Sequence, residues 1–393
     1  MNNPPLSEPG LVPAAGQVPR KSPGKIALFR YYPRLEDGLP YVSLGLFPTL
    51  VEKLDRVGNA IGLPGLYAKR DDLSGSPYGG NKVRKLEFLL GGALRAKARE
   101  VITFGFAGSN HALATAVYAK QLGLASTSML LPQVNSQYLR RNLLASHHFG
   151  AELHLYRNRA ALSFALLCKL LRGKMKRGAF ARIIPAGGSC PLGVVGYVNA
   201  VLELKEQILA GEMPEPDRVY VPMGSMGTSV GLALGLKVAG LKSQVIAVRV
   251  IGEQFANAAK AALLFDQTAR FLNKLDPAFR RLSLSEDALI VRGDCIGEGY
   301  AHFTRQGVEA AELMKKEAGI ILNGTYSAKA FSALVLDAQS QALRGKTVLF
   351  WNTYNSRDLS GITAAIDYHD LPGEFHRYFQ EDVQSLDKTD LDR

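Results

Sequence analysis

The chain has 393 residues, 47% hydrophobic and 21% charged, the balance of a folded globular protein rather than of a disordered or fibrous one. No apolar run approaches the roughly 20 residues of a membrane span. The formal net charge of +12 admits nucleic acid as a partner, yet lysine and arginine are spread along predicted helices and the densest cluster, Arg172 to Arg177, reads as a solvated helix end; an anionic small molecule suits the charge better.

In chain order, residues 1–25 are rich in proline and glycine and lack the apolar core of a secretory signal, which predicts a disordered lead-in and a cytoplasmic protein. Beyond it, strand-like and helical runs alternate: VITF near Val101, a helix from Asn110 to Leu122, STSMLL, a helix from Gln137, AELHLY, a helix from Ala160, then ARIIPAG. The alternation resumes with RVYVPMG, a helix from Thr228, QVIAVRVIG, a long helix from Gln254, ALIVRG, two further helices and TVLFWNT. Such βαβ alternation predicts an α/β protein with mostly parallel strands, and the length predicts two domains sharing a cleft or one large unit. The polar, acidic tail at 371–393 is expected to be mobile. Cys168, Cys190 and Cys295 are too few and too scattered for a disulfide framework, and no Cys-x-x-Cys or His-x-x-x-His spacing suggests a metal.

Parallel sheets bind ligands where the loops after their strands converge. Three such loops are glycine-rich: GFAGSNHALATA, with Ser109 as an N-cap followed by Asn110 and His111; PAGGSCPLG, with Gly187, Gly188, Ser189 and Cys190 in a turn; and VPMGSMGTSVG, where Gly224, Gly227 and Gly231 surround Ser225, Met226 and Thr228. Backbone N–H groups, two hydroxyls and a helix start make the third a phosphate cradle. A dinucleotide site would need G-x-G-x-x-G and an acid after the next strand; Glu253 stands there, but the spacing is G-x-x-G-x-x-x-G, which fits a single phosphate better.

The stretch SPYGGNKVRKLEFLL places Lys82 at a helix start, where the macrodipole disfavours a cation. One reading is a turn capped by Asn81 with a solvated lysine. The other is an amine kept neutral by the local positive field, a nucleophile for a carbonyl cofactor.

Taken in order, YAKRDDLSG, GGNKVRKLEFLL, AGSNHALATA, IPAGGSCPLGVVGY and GSMGTSVGLALGL resemble the pyridoxal phosphate enzymes of tryptophan synthase β-like fold (fold type II), within the group of D-cysteine desulfhydrases and 1-aminocyclopropane-1-carboxylate deaminases. The resemblance runs from about Pro48 to about Thr353. It implies that Lys82 carries the cofactor and moves the Cα proton, that Lys85 supports cofactor or substrate charge, and that Asn110 contacts the cofactor ring oxygen with Ser109 beside the substrate. It also implies that Gly224, Ser225, Met226, Gly227 and Thr228 hold the phosphate and that Tyr300 and Tyr326 are active-site tyrosines. A homodimer is implied too, with a small domain at 81–192 inserted in a large one formed by 26–80 and 193–370.

In the resemblance, ring-opening deaminases place a glutamate after the tyrosine matched by Tyr326; this chain has Ser327. Desulfhydrase-like members set a threonine near the pyridine nitrogen, and Thr353 stands at that place. The expectation is therefore a lyase that eliminates a β-substituent from a small amino acid such as D-cysteine, giving pyruvate, ammonia and sulfide. Alternatives are cyclopropane opening, β-replacement or epimerisation of another amino acid, or a non-catalytic binding homologue. Tyr354 and Asn355 replace a glycine pair of the family pattern, while Cys190 and His111 are further differences.

Overall fold

The computed structural model describes residues 24–177 and 181–387, with the side chains of 172–177 left aside. The lead-in expected at 1–25 and the end of the tail lie almost wholly outside the described residues. So do the side chains of the cluster at Arg172 to Arg177.

Among the described residues ten strands form two sheets: β1 (Val51–Lys53), β2 (Leu66–Lys69), β3 (Glu100–Phe106), β4 (Ala125–Leu131), β5 (Ala151–Leu155), β6 (Arg182–Ile184), β7 (Arg218–Met223), β8 (Gln244–Arg249), β9 (Leu289–Arg292) and β10 (Val348–Trp351). The larger sheet runs β1-β2-β10-β7-β8-β9 and the smaller β5-β4-β3-β6. Every pairing is parallel except β1 with β2. The last strand, β10, lies between β2 and β7, so the chain's two ends close the middle of the larger sheet.

Among the described residues nine longer helices connect the strands: α1 (Lys82–Arg95), α2 (Asn110–Gln121), α3 (Gln137–His148), α4 (Arg159–Arg177), α5 (Pro191–Leu209), α6 (Gly227–Ala239), α7 (Ala258–Leu275), α8 (Arg305–Ala318) and α9 (Ser327–Gln339). The helix expected from Gln254 begins at Ala258, because Asn257 caps it by accepting from the Lys260 amide at 2.9 Å.

Strand periodicity decides the layers. Val219, Val221, Met223, Leu349 and Trp351 face one side with Val198 and Phe265, while Tyr220, Val348 and Phe350 face the other with Phe331 and Met314. Both faces of the larger sheet are thus covered, as a parallel sheet requires. The smaller sheet packs Leu130 and Leu153 against Ala116, Leu139 and Leu143.

The expectation of a mobile tail is corrected for residues 371–387. Leu371, Phe375 and Tyr378 are buried in the same cluster as Leu139 and Leu143. The Asn135 amide donates to the carbonyls of Tyr378 and Glu381, each at 2.9 Å. Gln384 accepts from the Phe303 amide at 2.7 Å and donates to the Ala301 carbonyl at 2.9 Å. The three apolar residues are spread through a polar stretch, which hides them from a compositional reading, yet together they cover one face of the small sheet's helices.

Candidate functional site

The loops after the strands of both sheets meet around a cavity of about 730 Å³. Lys82, Ser109, Asn110, Gly224, Ser225, Met226, Thr228, Tyr300, Tyr326 and Thr353 all line it, although they come from six separate loops. Lys85 and Gly227 sit immediately behind the wall: a Cβ on Gly227 would lie 2.9 Å from Lys85 Nζ.

Lys82 is the first residue of α1. Burial lowers its pKa from 10.5 to about 8. The cause is desolvation, which disfavours the ammonium form. Nor does Asn81 cap α1 with its side chain. Its amide donates instead to Thr228 Oγ1 at 2.9 Å, tying the Lys82 turn to the start of α6.

The phosphate cradle is built from two loops, only one of which is conspicuous in the sequence. Ser189 Oγ lies 2.8 Å from Ser225 Oγ and accepts from the Gly227 amide at 3.1 Å. Lys85 Nζ donates to the Gly187 carbonyl at 3.0 Å and is 3.5 Å from Ser189 Oγ. Burial, and then the neighbouring Lys82, hold the Lys85 pKa well below its ordinary value. Gly187 has φ +64°, and a Cβ there would lie 2.0 Å from Ser225 Oγ, so the turn needs glycine both for its backbone and for its neighbour. Met226 adopts φ +68° at the entry to α6 without that licence. A helix N-terminus, hydroxyls, glycines without side chains and a buried ammonium with no carboxylate partner among the described residues fit a phosphate dianion.

On the opposite wall Ser109 caps α2, its hydroxyl accepting from the Ala112 amide at 3.2 Å. Asn110 Oδ1 accepts from Asn142 at 2.8 Å and from the Tyr78 hydroxyl at 3.4 Å, which leaves its NH₂ as the group to meet a ligand oxygen. His111 lies beneath them, buried, with neither ring nitrogen in a hydrogen bond of ordinary geometry. Burial and the two lysines hold it well below its usual pKa, so the ring is neutral; the nearby Pro185 carbonyl opposes this only weakly.

The hydroxyls of Tyr300 and Tyr326 are 2.5 Å apart. Burial pushes Tyr326 up to about 12 and raises Tyr300 well above its ordinary value, so both phenols are protonated at neutral pH and can only donate or relay. Phe106 packs on the Tyr300 ring with centroids 4.5 Å apart.

At the end of β10, Thr353 lines the cavity, and its backbone carbonyl accepts from the Asn81 amide at 3.1 Å. Ser327 does not line it; its hydroxyl accepts from the Asn323 amide at 2.7 Å. Tyr354 forms part of the wall and accepts from Arg141. Asn355 turns away, accepting from the Gly79 amide at 2.6 Å. Glu253 pairs with Arg249 at 3.1 Å and stays outside the cavity, which removes it as a ribose ligand. No group of His, Cys, Asp and Glu among the described residues could hold a metal ion.

Sequence reasoning missed Asn81 and Ser189 as site residues, and Phe104, Phe106, Arg159, Gln254, Phe255 and Lys260 as lining, whereas Tyr354 stands out in the sequence as a bulky departure from the family's glycine pair. Ser189 was the findable one, since its loop repeats the strand, glycine, hydroxyl and helix order of the phosphate cradle. Beneath the site a buried ionic cluster joins α1 to β10. Arg84 donates to Asp71 and Glu203, Lys69 donates to Glu203 at 2.7 Å, and Trp351 Nε1 donates to Asp71 at 2.7 Å.

An α/β protein with a desolvated lysine facing a phosphate cradle across two parallel sheets is built to hold a phosphorylated carbonyl cofactor. The chain belongs to the family described as pyridoxal-phosphate dependent enzyme, whose pattern matches residues 42–353. It is 33% identical to nocardicin C-9' epimerase of Nocardia uniformis over 336 residues, covering 82% of this chain and 95% of that one. It is also 33% identical to the mitochondrial bifunctional D-cysteine desulfhydrase/1-aminocyclopropane-1-carboxylate deaminase of Arabidopsis thaliana over 327 residues, covering 79% and 77%. Among solved structures, an ACC deaminase homologue superposes with a TM-score of 0.70 at 30% identity, covering 88% of this chain and 97% of the other. The fold is the tryptophan synthase β-like, type II fold; the cofactor is pyridoxal phosphate; and the protein is an enzyme of the deaminase and desulfhydrase group. No helix among the described residues is long and apolar enough to cross a membrane.

Proposed function

We propose that the enzyme is a lyase that eliminates the β-substituent of a small amino acid, D-cysteine or a close β-substituted alanine, giving pyruvate and ammonia, with sulfide in the cysteine case. One observation carries this reading: among the described residues no carboxylate lines the cavity, and the residue that lines it just past β10 is the hydroxyl-bearing Thr353, followed by Tyr354. A carboxylate would keep the pyridine nitrogen protonated and deepen the electron sink that cyclopropane opening demands. A hydroxyl suffices where a good leaving group departs once the Cα proton is lost. The Glu position of the ring-opening enzymes is held by Ser327, whose hydroxyl is already engaged by the Asn323 amide.

Pyridoxal phosphate supplies the sink for the electrons of the Cα–H bond. Lys82, neutral above about pH 8, holds the cofactor and takes the Cα proton. Lys85, Ser225, Gly227 and Thr228 hold the phosphate, Asn110 meets the ring oxygen, and Ser109 positions the substrate. The Tyr300–Tyr326 pair, protonated throughout the neutral range, donates to the leaving group.

The test is a product assay with D-cysteine, β-chloro-D-alanine and 1-aminocyclopropane-1-carboxylate supplied separately. Pyruvate from the first two is expected; 2-oxobutyrate from the third, without pyruvate from the others, would overturn the reading. A second reading is epimerisation, favoured by the similarity to the Nocardia epimerase. Chiral chromatography of amino acids recovered unchanged in mass would reveal it. The assembly we propose is a homodimer, checked by light scattering on the eluting protein.

A further inference from the structure

The cavity of about 730 Å³ falls in the upper part of the roughly 300–1,000 Å³ range that takes whole drug-sized ligands, and its lining extends past the cofactor cradle to Arg159, Phe255 and Lys260. Its outer part has a chemistry of its own. Arg159, the first residue of α4, reaches from the side of the smaller sheet, and Phe255, in the loop between β8 and α7, comes from the larger one. The Arg159 guanidinium lies over the Phe255 ring at 4.3 Å from its centroid, spanning the mouth between the two sheets. Lys260, in the first turn of α7, lines the same mouth, and its ammonium donates to the Gln254 carbonyl.

Three features make this an anion site rather than a pair of solvated cations. Among the described residues neither Arg159 nor Lys260 has a carboxylate partner, and Glu253, two residues before Phe255, is engaged by Arg249 at 3.1 Å. No described residue lining the cavity is Asp or Glu, so nothing in it opposes a second negative charge. A guanidinium held by its face against an aromatic ring keeps its edge N–H donors for a planar anion, the geometry that carboxylates accept in pairs. The start of α7 adds its own positive field from the same side.

We propose that Arg159 and Lys260 form an outer subsite that selects amino acids carrying a distal carboxylate, with Phe255 holding the guanidinium in place across the mouth. The proposal rests on the reading of the inner cavity as an amino acid site. It extends the preferred substrate from cysteine itself to a β-substituted alanine with a longer substituent: the α-amino acid end lies against Lys82, and the β-substituent runs outward past Phe106 to a terminal carboxylate at Arg159. Both cations are exposed, so replacing them leaves the core and the cofactor cradle intact.

The experiment titrates the holoenzyme with 2-aminoadipate, norleucine and cysteine, each as D and L forms, and reads affinity from the change in cofactor absorbance. The first two have chains of matching length and differ in the terminal carboxylate. Aminoadipate is expected to bind ~10-fold or more tightly than norleucine, and Arg159→Gln and Lys260→Gln each to remove most of that preference while norleucine affinity and cofactor content stay as in the parent. Equal affinity of the two in the parent, or a preference that survives in the double variant, overturns the subsite and leaves the inner site standing. Cofactor lost from either variant would mean that these cations serve the phosphate, which also overturns it. No response to any amino acid, D-cysteine included, overturns the amino acid reading itself.

Discussion

Replacing Asp71 by asparagine tests whether the ionic cluster under the site is what joins Lys82 to Thr353. Asp71 is fully buried and Arg84 is 1% exposed. The carboxylate accepts from Thr49 Oγ1 at 2.9 Å, from Arg84 Nη2 at 2.8 Å, from Tyr197 at 2.7 Å and from Trp351 Nε1 at 2.7 Å. With Lys69 and Glu203 the cluster holds two cations and two anions; the neutral amide of Asp71→Asn would leave one cation uncompensated. Breaking a buried pair in this way costs about 3–5 kcal/mol. Because Arg84 keeps its bonds to Glu203, both at 2.9 Å, the lower end of that range, about 3 kcal/mol, is expected. That is a large share of a total stability of about 5–15 kcal/mol. Trp351 is the only tryptophan, so its fluorescence in a urea titration reports on the bond being removed. The Asp71 carbonyl accepts from the Gly80 amide at 2.8 Å, so the lysine turn should loosen as well, and cofactor should be lost on dialysis faster than from the parent. A change below about 0.5 kcal/mol, within the ordinary range for surface substitutions, together with unchanged cofactor retention, would refute the reasoning. A double-mutant cycle with Arg84→Met should then show no coupling, where about 1–3 kcal/mol is expected.

Because the folded-state pKa of Lys82 is lowered from 10.5 to about 8, the unfolded apoprotein binds more protons between those values, and stability should rise as pH climbs through that window. Lys82→Met should flatten this slope, raise apoprotein stability at pH 7 by up to about 3 kcal/mol in thermal or urea unfolding, and abolish the visible band of the bound cofactor. Gly227→Ala would set a Cβ 2.5 Å from Ser189 Oγ and 2.9 Å from Lys85 Nζ. Forcing such a fit costs roughly 1–3 kcal/mol, so cofactor affinity measured by equilibrium dialysis should fall about tenfold. Tyr326→Phe removes one hydroxyl of the 2.5 Å pair; turnover should fall about 10²-fold in the pyruvate assay while cofactor absorbance is retained.

The junctions proposed to hold the cofactor that were legible owe this to a local signal. Lys82 after two glycines, Ser109 as an N-cap, and Gly224 to Thr228 at a helix entry are all strand, turn and helix junctions, whose residue choice follows from backbone conformation and the helix field. The alternation of strands and helices is likewise written in periodicities of two and 3.6 residues. What faces each junction is not written there. Ser189 meets Ser225 across 36 positions, and Trp351 meets Asp71 across 280, because β10 enters the sheet between β2 and β7. Asn81 reads as a cap and is instead a strut to Thr228, since the three-dimensional neighbour outcompetes the local backbone. The tail at 371–387 reads as mobile because its three anchors are isolated in polar sequence and meet their partners, Leu139 and Leu143 of α3 among them, only once the smaller sheet and its helices have assembled. Likewise Arg159 and Phe255 belong to different sheets, and only the docking of those sheets brings a guanidinium over a ring at the cavity mouth. Strands, helix entries and the cofactor they hold are therefore readable from the chain alone, because they depend on contacts within a few residues. Which hydroxyls and charges complete the site, and how wide it opens, emerge only on folding, because they depend on strand order and on the packing of one sheet against the other.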